Sequence, residues 1–140
     1  RKPEAEVFPL CAANGISQIV WSPLAQGVLT GKYQPGQKPP SDSRAANSQM
    51  NAFMGDITSD RVLSAVQNLK PIAQSLNISM AQLALAWVLK DERVSSTIIG
   101  ASRPEQVADN AAASNVKLND DVLRKIDEVL APALLHATAA

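Results

Sequence analysis

Ile19-Val20-Trp21-Ser22-Pro23-Leu24-Ala25-Gln26-Gly27-Val28-Leu29-Thr30-Gly31-Lys32-Tyr33 is the stretch on which the reading of this sequence turns. It opens as a short apolar run and breaks at Ser22-Pro23. Pro23 has no amide hydrogen to give a strand ladder, so the strand is expected to end at Ser22. The loop beyond it carries Gly27, Gly31, the Thr30 hydroxyl and Lys32. Glycines let a backbone approach a ligand, and amides, a hydroxyl and an ammonium together suit an anion. The spacing matches neither GxxxxGK[ST] nor GxGxxG. The residues alone leave open whether this is a phosphate cradle or a plain structural turn.

Outward from that stretch, the chain reads as alternating helices and strands. Residues 1–14 are expected to form a helix with Val7, Leu10 and Cys11 on its apolar face and Gly15 as a left-handed cap. Residues 17–22 are the first strand, apolar enough to be buried on both faces. Tyr33 to Ile57 is a long segment rich in Pro, Gly, Ser and Asn, with Arg44 as its central charge. A connection of that length in a compact domain is typically a lid, a binding loop or disorder, and by itself Arg44 reads as a solvated loop arginine.

Thr58-Ser59-Asp60 can cap a helix through Leu76, kinked near Lys70 by Pro71. Ser79-Met80-Ala81-Gln82 is a capping box for a nearly all-apolar helix from Met80 to Lys90, which must be buried, with Trp87 as a core residue. Val94 to Ile99 is the second strand. Ser102-Arg103-Pro104-Glu105 follows Gly100 as a second capping box, opening a helix to Ala113 with Gln106 and Asn110 on one face. This strand-to-helix step also suits either a phosphate or a simple cap. Asn119 caps a last helix from Asp120 to Leu130. Residues 131–140 read as a loose tail, and His136 within it as a surface histidine.

The 140 residues carry zero formal net charge and are 46% hydrophobic. That balance excludes a disordered tail and argues against nucleic-acid or anionic-membrane binding by bulk charge. No apolar run is long enough to span a bilayer. The single cysteine, Cys11, has no internal disulfide partner and no basic neighbour, so it reads as a small core residue in a reducing, cytoplasmic protein. One cysteine and one histidine give no metal site. The opening Arg1-Lys2-Pro3, without methionine or a signal-like apolar segment, reads as the start of a cut chain. Two parallel strands joined by helical crossovers form part of an α/β sheet. They cannot close a barrel, so their edges and the faces of several helices need partners.

Residues 21–33 together with Gly100-Ala101-Ser102-Arg103-Pro104-Glu105-Gln106-Val107-Ala108-Asp109-Asn110 resemble the C-terminal portion of an aldo-keto reductase. Ser43-Arg44-Ala45 and Ala84-Leu85-Ala86-Trp87-Val88-Leu89 match the same family, in the branch of bacterial reductases resembling voltage-gated potassium channel β-subunits. The resemblance covers essentially all of residues 1–140. It implies the C-terminal part of a (β/α)8 barrel: two strands, about five helices and one long loop. It also implies a nicotinamide cofactor, NADPH more often than NADH, in the loops after the last two strands.

On that resemblance Trp21 stacks on the nicotinamide, and Ser22, Pro23, Leu24, Gly27, Leu29, Gly31 and Lys32 form the loop around the pyrophosphate. Arg44 closes over the cofactor, and Gly100, Ser102, Gln106 and Asn110 hold the adenosine end. Ser102 and Arg103 face a 2′-phosphate. The family's catalytic Asp, Tyr, Lys and His lie on earlier strands, and none is assigned here. Tyr33, Lys32 and His136 are of the right types at the wrong places. The implied parent reduces small aldehydes and ketones. Alternatives are a channel-β-like cofactor sensor that docks on a membrane protein, and an inactive half-barrel that pairs with a missing N-terminal half or with itself.

Overall fold

In the computed structural model, residues 2–51 and 54–134 are described. The chain runs α1 (Lys2–Ala5), α2 (Val7–Ala13), β1 (Gln18–Trp21), α3 (Asp60–Gln67), α4 (Lys70–Ser75), α5 (Met80–Leu89), β2 (Val94–Ile98), α6 (Pro104–Ala112) and α7 (Asp120–Leu134). Single 310 turns punctuate the segment between β1 and α3. β1 and β2 pair in parallel.

The expected first helix is two helices, broken at Glu6. The break changes its phase. Val7 and Leu10 are exposed and Cys11 half-buried, while Phe8 is the buried residue, stacked under the Arg93 guanidinium at 5.4 Å. The helix ends as Gly15 predicts: Gly15 adopts φ +70°, and the Ile16 amide donates to Cys11 O at 2.9 Å.

The strands differ from expectation at one face. Ile19, Trp21 and Ile98 are 67%, 71% and 62% exposed, so the sheet is covered on one side only. α5 lies on the covered side. Pairing is Ile19 with Ser96, Val20 with Thr97 and Trp21 with Ile98, but Gln18 pairs with Val94. Ser95 is the extra residue at this register shift. Its hydroxyl donates to Gln18 O at 3.1 Å, supplying a bond in the interrupted ladder. The slip puts Val94 and Thr97 toward the helices and Ser96 and Ile98 toward the open face, which matches their burial.

Two apolar clusters hold the helices. Val28, Tyr33, Met54, Leu63 and Val66 form one; Leu69, Ile72, Ala73, Leu83 and Ile126 form the other, and Met80 packs against both. α5 buries Leu83, Leu85 and Ala86 and leaves the rest half-covered. Its capping box forms as the sequence predicts: Ser79 Oγ accepts from the Gln82 amide at 3.1 Å, and Gln82 Oε1 accepts from the Ser79 amide at 3.0 Å. Asn119 Oδ1 accepts from the Val122 amide at the start of α7.

The other two expected caps do not form. Ser59 takes the N-cap backbone position, but its hydroxyl makes no cap bond and is buried without a partner. At α6 the N-cap is Arg103. Gln106 Oε1 instead takes both the amide and the hydroxyl of Ser102, at 2.9 and 3.3 Å. The expected kink at Pro71 is a full break between Gln67 and Lys70. α7 continues past the expected limit of Leu130 to Leu134. Arg61 holds its end by donating to Pro132 O and Ala133 O. His136 and the remainder of the expected tail lie outside the described residues.

The turn from α5 into β2 carries a forked ion pair. Arg93 Nε and Nη2 donate to the two Asp91 oxygens at 2.8 and 2.6 Å. That hydrogen bonding holds the Asp91 carboxyl at about 2, against an ordinary 3.8, and raises the Arg93 guanidinium in turn.

Candidate functional site

A cleft of about 600 Å³ opens at the C-terminal ends of both strands. Its first wall is the end of β1 and the turn beyond, where the chain coils through a run of left-handed residues. Ser22, Ala25 and Gln26 have φ of +55°, +46° and +58°, and Gly27 and Gly31 have +91° and +74°. Much of the turn's own amide capacity is spent closing it: the Ala25 and Gly27 amides donate to Ser22 O and Leu24 O at 3.0 and 2.9 Å. Gly27 is required twice over. Its φ is costly for any side chain, and a Cβ there would meet Lys32 Cε at 3.0 Å and Nζ at 3.2 Å.

Neighbouring residues fix this turn. Gln67 Nε2 donates to Gly31 O and Tyr33 O at 3.1 and 2.7 Å, clamping the backbone on both sides of Lys32. The Tyr33 ring is buried in the first apolar cluster, its hydroxyl accepts from the Ala45 amide, and Lys32 Nζ lies 5.2 Å from the ring centroid. The long segment is thereby tied back beside the cleft. The Gly36 amide, donating to Asp60 Oδ1 at 2.8 Å, anchors its start.

The opposite wall is the end of β2, Gly100, Ser102 and the first turns of α6. Trp21, Ser22, Pro23, Leu24, Gly27, Lys32, Arg44, Gly100, Ser102, Gln106 and Asn110 all line the cleft. Three expected residues do not. Leu29 faces a separate apolar cavity of about 340 Å³ beneath the sheet. Gly31 is buried, with Lys70 and Met80 side chains against the place of a Cβ. Arg103 is exposed at the N-cap of α6 and does not line the cleft.

Thr30 lines the cleft as well, and sequence reasoning missed Gln26, Ser79, Met80, Ala81, Ile98, Ile99 and Asp109, which also do. Asp109 is tied into the α5 cap: its oxygens accept from Ser79 Oγ at 3.1 Å and Gln82 Nε2 at 2.9 Å. A capping box reads as local structure, and nothing in its four residues signals that α6 docks on it.

The site therefore has two cations, Lys32 and Arg44, on one wall and hydroxyl and amide groups, Ser102, Gln106 and Asn110, on the other. An exposed tryptophan face stands beside them. Two positive charges, a cleft of about 600 Å³ and an aromatic platform fit a molecule that carries phosphates and flat rings. Among the described residues no helix is long and apolar enough by itself to cross a membrane.

The sequence matches the Aldo/keto reductase family over residues 1–131. The chain belongs to that family. It is 45% identical over 131 residues to a probable voltage-gated potassium channel subunit beta of Arabidopsis thaliana, covering 92% of this chain and 40% of that protein. It is 38% identical over 124 residues to an L-glyceraldehyde 3-phosphate reductase of Escherichia coli, covering 88% and 36%. The fold is similar to that of a glycerol dehydrogenase from Gluconobacter oxydans, with TM-score 0.72, 23% identity, and 94% of this chain on 39% of the other. The chain thus spans about two fifths of the length of these relatives.

Proposed function

We propose that the cleft binds a nicotinamide dinucleotide, NADPH in preference to NADH, and that this chain is the cofactor-binding part of a reductase of aldehydes and ketones. The observation that carries this is the convergence on one cleft of residues from 21–44 and 100–110, all but three of those expected to hold the cofactor. The two strands would be the last two of a (β/α)8 barrel, whose binding loops stand at the C-terminal strand ends. Membership of the aldo/keto reductase family supports both parts.

When bound, the cofactor supplies a hydride for the carbonyl carbon. The residues of this chain bind and orient it. Lys32 and Arg44 neutralise phosphate charge, and Ser102, Gln106 and Asn110 offer hydrogen bonds at the adenosine end. The open face of Trp21 gives the nicotinamide a flat apolar wall. No residue here is assigned as the proton donor that carbonyl reduction requires. The chain alone is therefore expected to bind cofactor without reducing carbonyls.

A second reading, a cofactor-loaded module that docks on a channel, rests on the 45% identity to a protein named as a channel subunit. The zero formal net charge favours the enzyme, since it offers no bulk attraction to an anionic membrane surface.

The test is NADPH titration followed by quenching of Trp21 and Trp87 fluorescence. Lys32→Ala and Ser102→Ala are each expected to weaken binding about tenfold, the worth of one charge-assisted hydrogen bond. Unchanged affinity in both variants overturns the assignment of the cleft.

A further inference from the structure

Gln26 is the least explained residue of the cleft. It holds φ +58°, a left-handed conformation that a glycine would adopt without strain, and it immediately precedes one. It is also long and flexible, so fixing its side chain costs conformational entropy. Two bonds offset both costs. Its Nε2 donates to Ser22 Oγ at 2.9 Å, and its Oε1 accepts from Arg44 Nη1. One amide thus joins the end of β1 to a loop residue 18 positions away.

We propose that Gln26 is a positioning residue that straps Arg44 to the wall of the anion cleft before any ligand arrives. The inference rests on the cleft reading above and goes beyond it in naming what holds the arginine. Arg44 is exposed, so without a partner its guanidinium would sample solvent. Guanidinium has five N–H donors, and the bond to Gln26 uses Nη1 alone. The remaining donors can meet a phosphate while the strap stays fastened. The same amide turns the Ser22 hydroxyl, which donates or accepts as its neighbours require, toward the turn. A left-handed conformation at Gln26 is what lets one side chain reach both partners.

The strap makes a prediction that needs no ligand. Trypsin cuts after Lys and Arg. Between Tyr33 and Thr58 the candidate sites are Lys38, protected by the following Pro39, and Arg44-Ala45. The rate of cutting at Arg44-Ala45 in the whole chain therefore reports the strap directly. Gln26→Gly removes the amide and relieves the backbone strain, so the loss of the two bonds is not compounded by a strained turn. Gln26→Ala removes the amide and keeps the strain. Both are expected to raise the cutting rate at Arg44-Ala45 about tenfold and to weaken NADPH binding several-fold.

In an Arg44→Ala background, Gln26→Gly is expected to cause no further loss of NADPH affinity, because the glutamine acts through the arginine. Equal cutting rates in Gln26→Gly and the native chain, or losses that add fully in the double variant, overturn the proposal. Protection of Arg44-Ala45 that depends on Gln26, in a chain that does not bind NADPH, would uphold the strap and sink the cofactor assignment instead.

Discussion

Replacing Gly27 by alanine separates two demands made on one position. The first is conformational: φ of +91° is unfavourable for an alanine by about 1–2 kcal/mol. Part of that is offset by the smaller entropy alanine has in the unfolded chain, about 0.4–1 kcal/mol. The net loss of about 1 kcal/mol corresponds to a fall in melting temperature of roughly 3–5 °C for a chain of this size. The second demand is steric. The new methyl group would sit 3.0 Å from Lys32 Cε and 3.2 Å from Nζ. The backbone at Lys32 is clamped by Gln67 on both sides, so the side chain must move, and it moves out of the cleft.

Gly36→Ala is the internal control. Gly36 has φ +67° and nothing within 4 Å of a Cβ, so alanine there imposes the conformational loss alone. Both variants are therefore expected to melt a few degrees low by circular dichroism. Only Gly27→Ala should also lose NADPH affinity, by about tenfold, the equivalent of about 1.4 kcal/mol. Equal NADPH affinity in the two variants would refute the argument that Gly27 keeps Lys32 in the site.

Leu85 is among the most deeply buried side chains, and Leu85→Ala should destabilise the chain by about 2–5 kcal/mol in urea unfolding. Ser79→Ala removes the α5 cap and a partner of Asp109 together. It should cost about 1–2 kcal/mol in the same measurement and loosen the α6 side of the cleft. Asp91→Asn should melt below the native chain at pH 7. The Asp91 carboxyl titrates near 2 when folded and near 3.8 when not, so its stabilisation is complete above about pH 4 and fades toward pH 2. The gap between the two melting curves should close across that window.

What the sequence made legible was local chemistry. Ser79-Met80-Ala81-Gln82 and Asn119 cap their helices with their own residues, and Gly15 turns the chain with its own backbone, so each needs no neighbour to be read. What it hid was competition between neighbours. Ser102 and Glu105 have the spacing of a capping box, but Gln106 reaches Ser102 first. Val7, Leu10 and Cys11 share a face only if the helix is continuous, and the break at Glu6 gives the buried place to Phe8. Ile19-Val20-Trp21 reads as buried on both faces because alternation cannot be seen in an all-apolar run. Gln26 carried no signal at all, since its reach to Arg44 depends on a positive φ that only the folded turn imposes. The cleft itself was legible because glycine, lysine and serine at strand ends announce their chemistry wherever the strands happen to meet.

The extra residue at Ser95 sets the phase of everything that follows it. Had β2 paired with β1 without the slip, Val94 or Ile98 would have had to change sides, and the alternation would have carried the opposite faces of Thr97 and Ile98 into the bend at Gly100. The slip therefore decides how far the Gly100-Ser102 wall advances beyond the Ser22-Gly27 wall, and so the span between the two ends of the cleft. A single deletion at Ser95, which does not itself line the cleft, would shift the register of Ile98, Ile99 and Gly100, which do. In this fold the length of a strand is a tuning element for what the loops above it can hold.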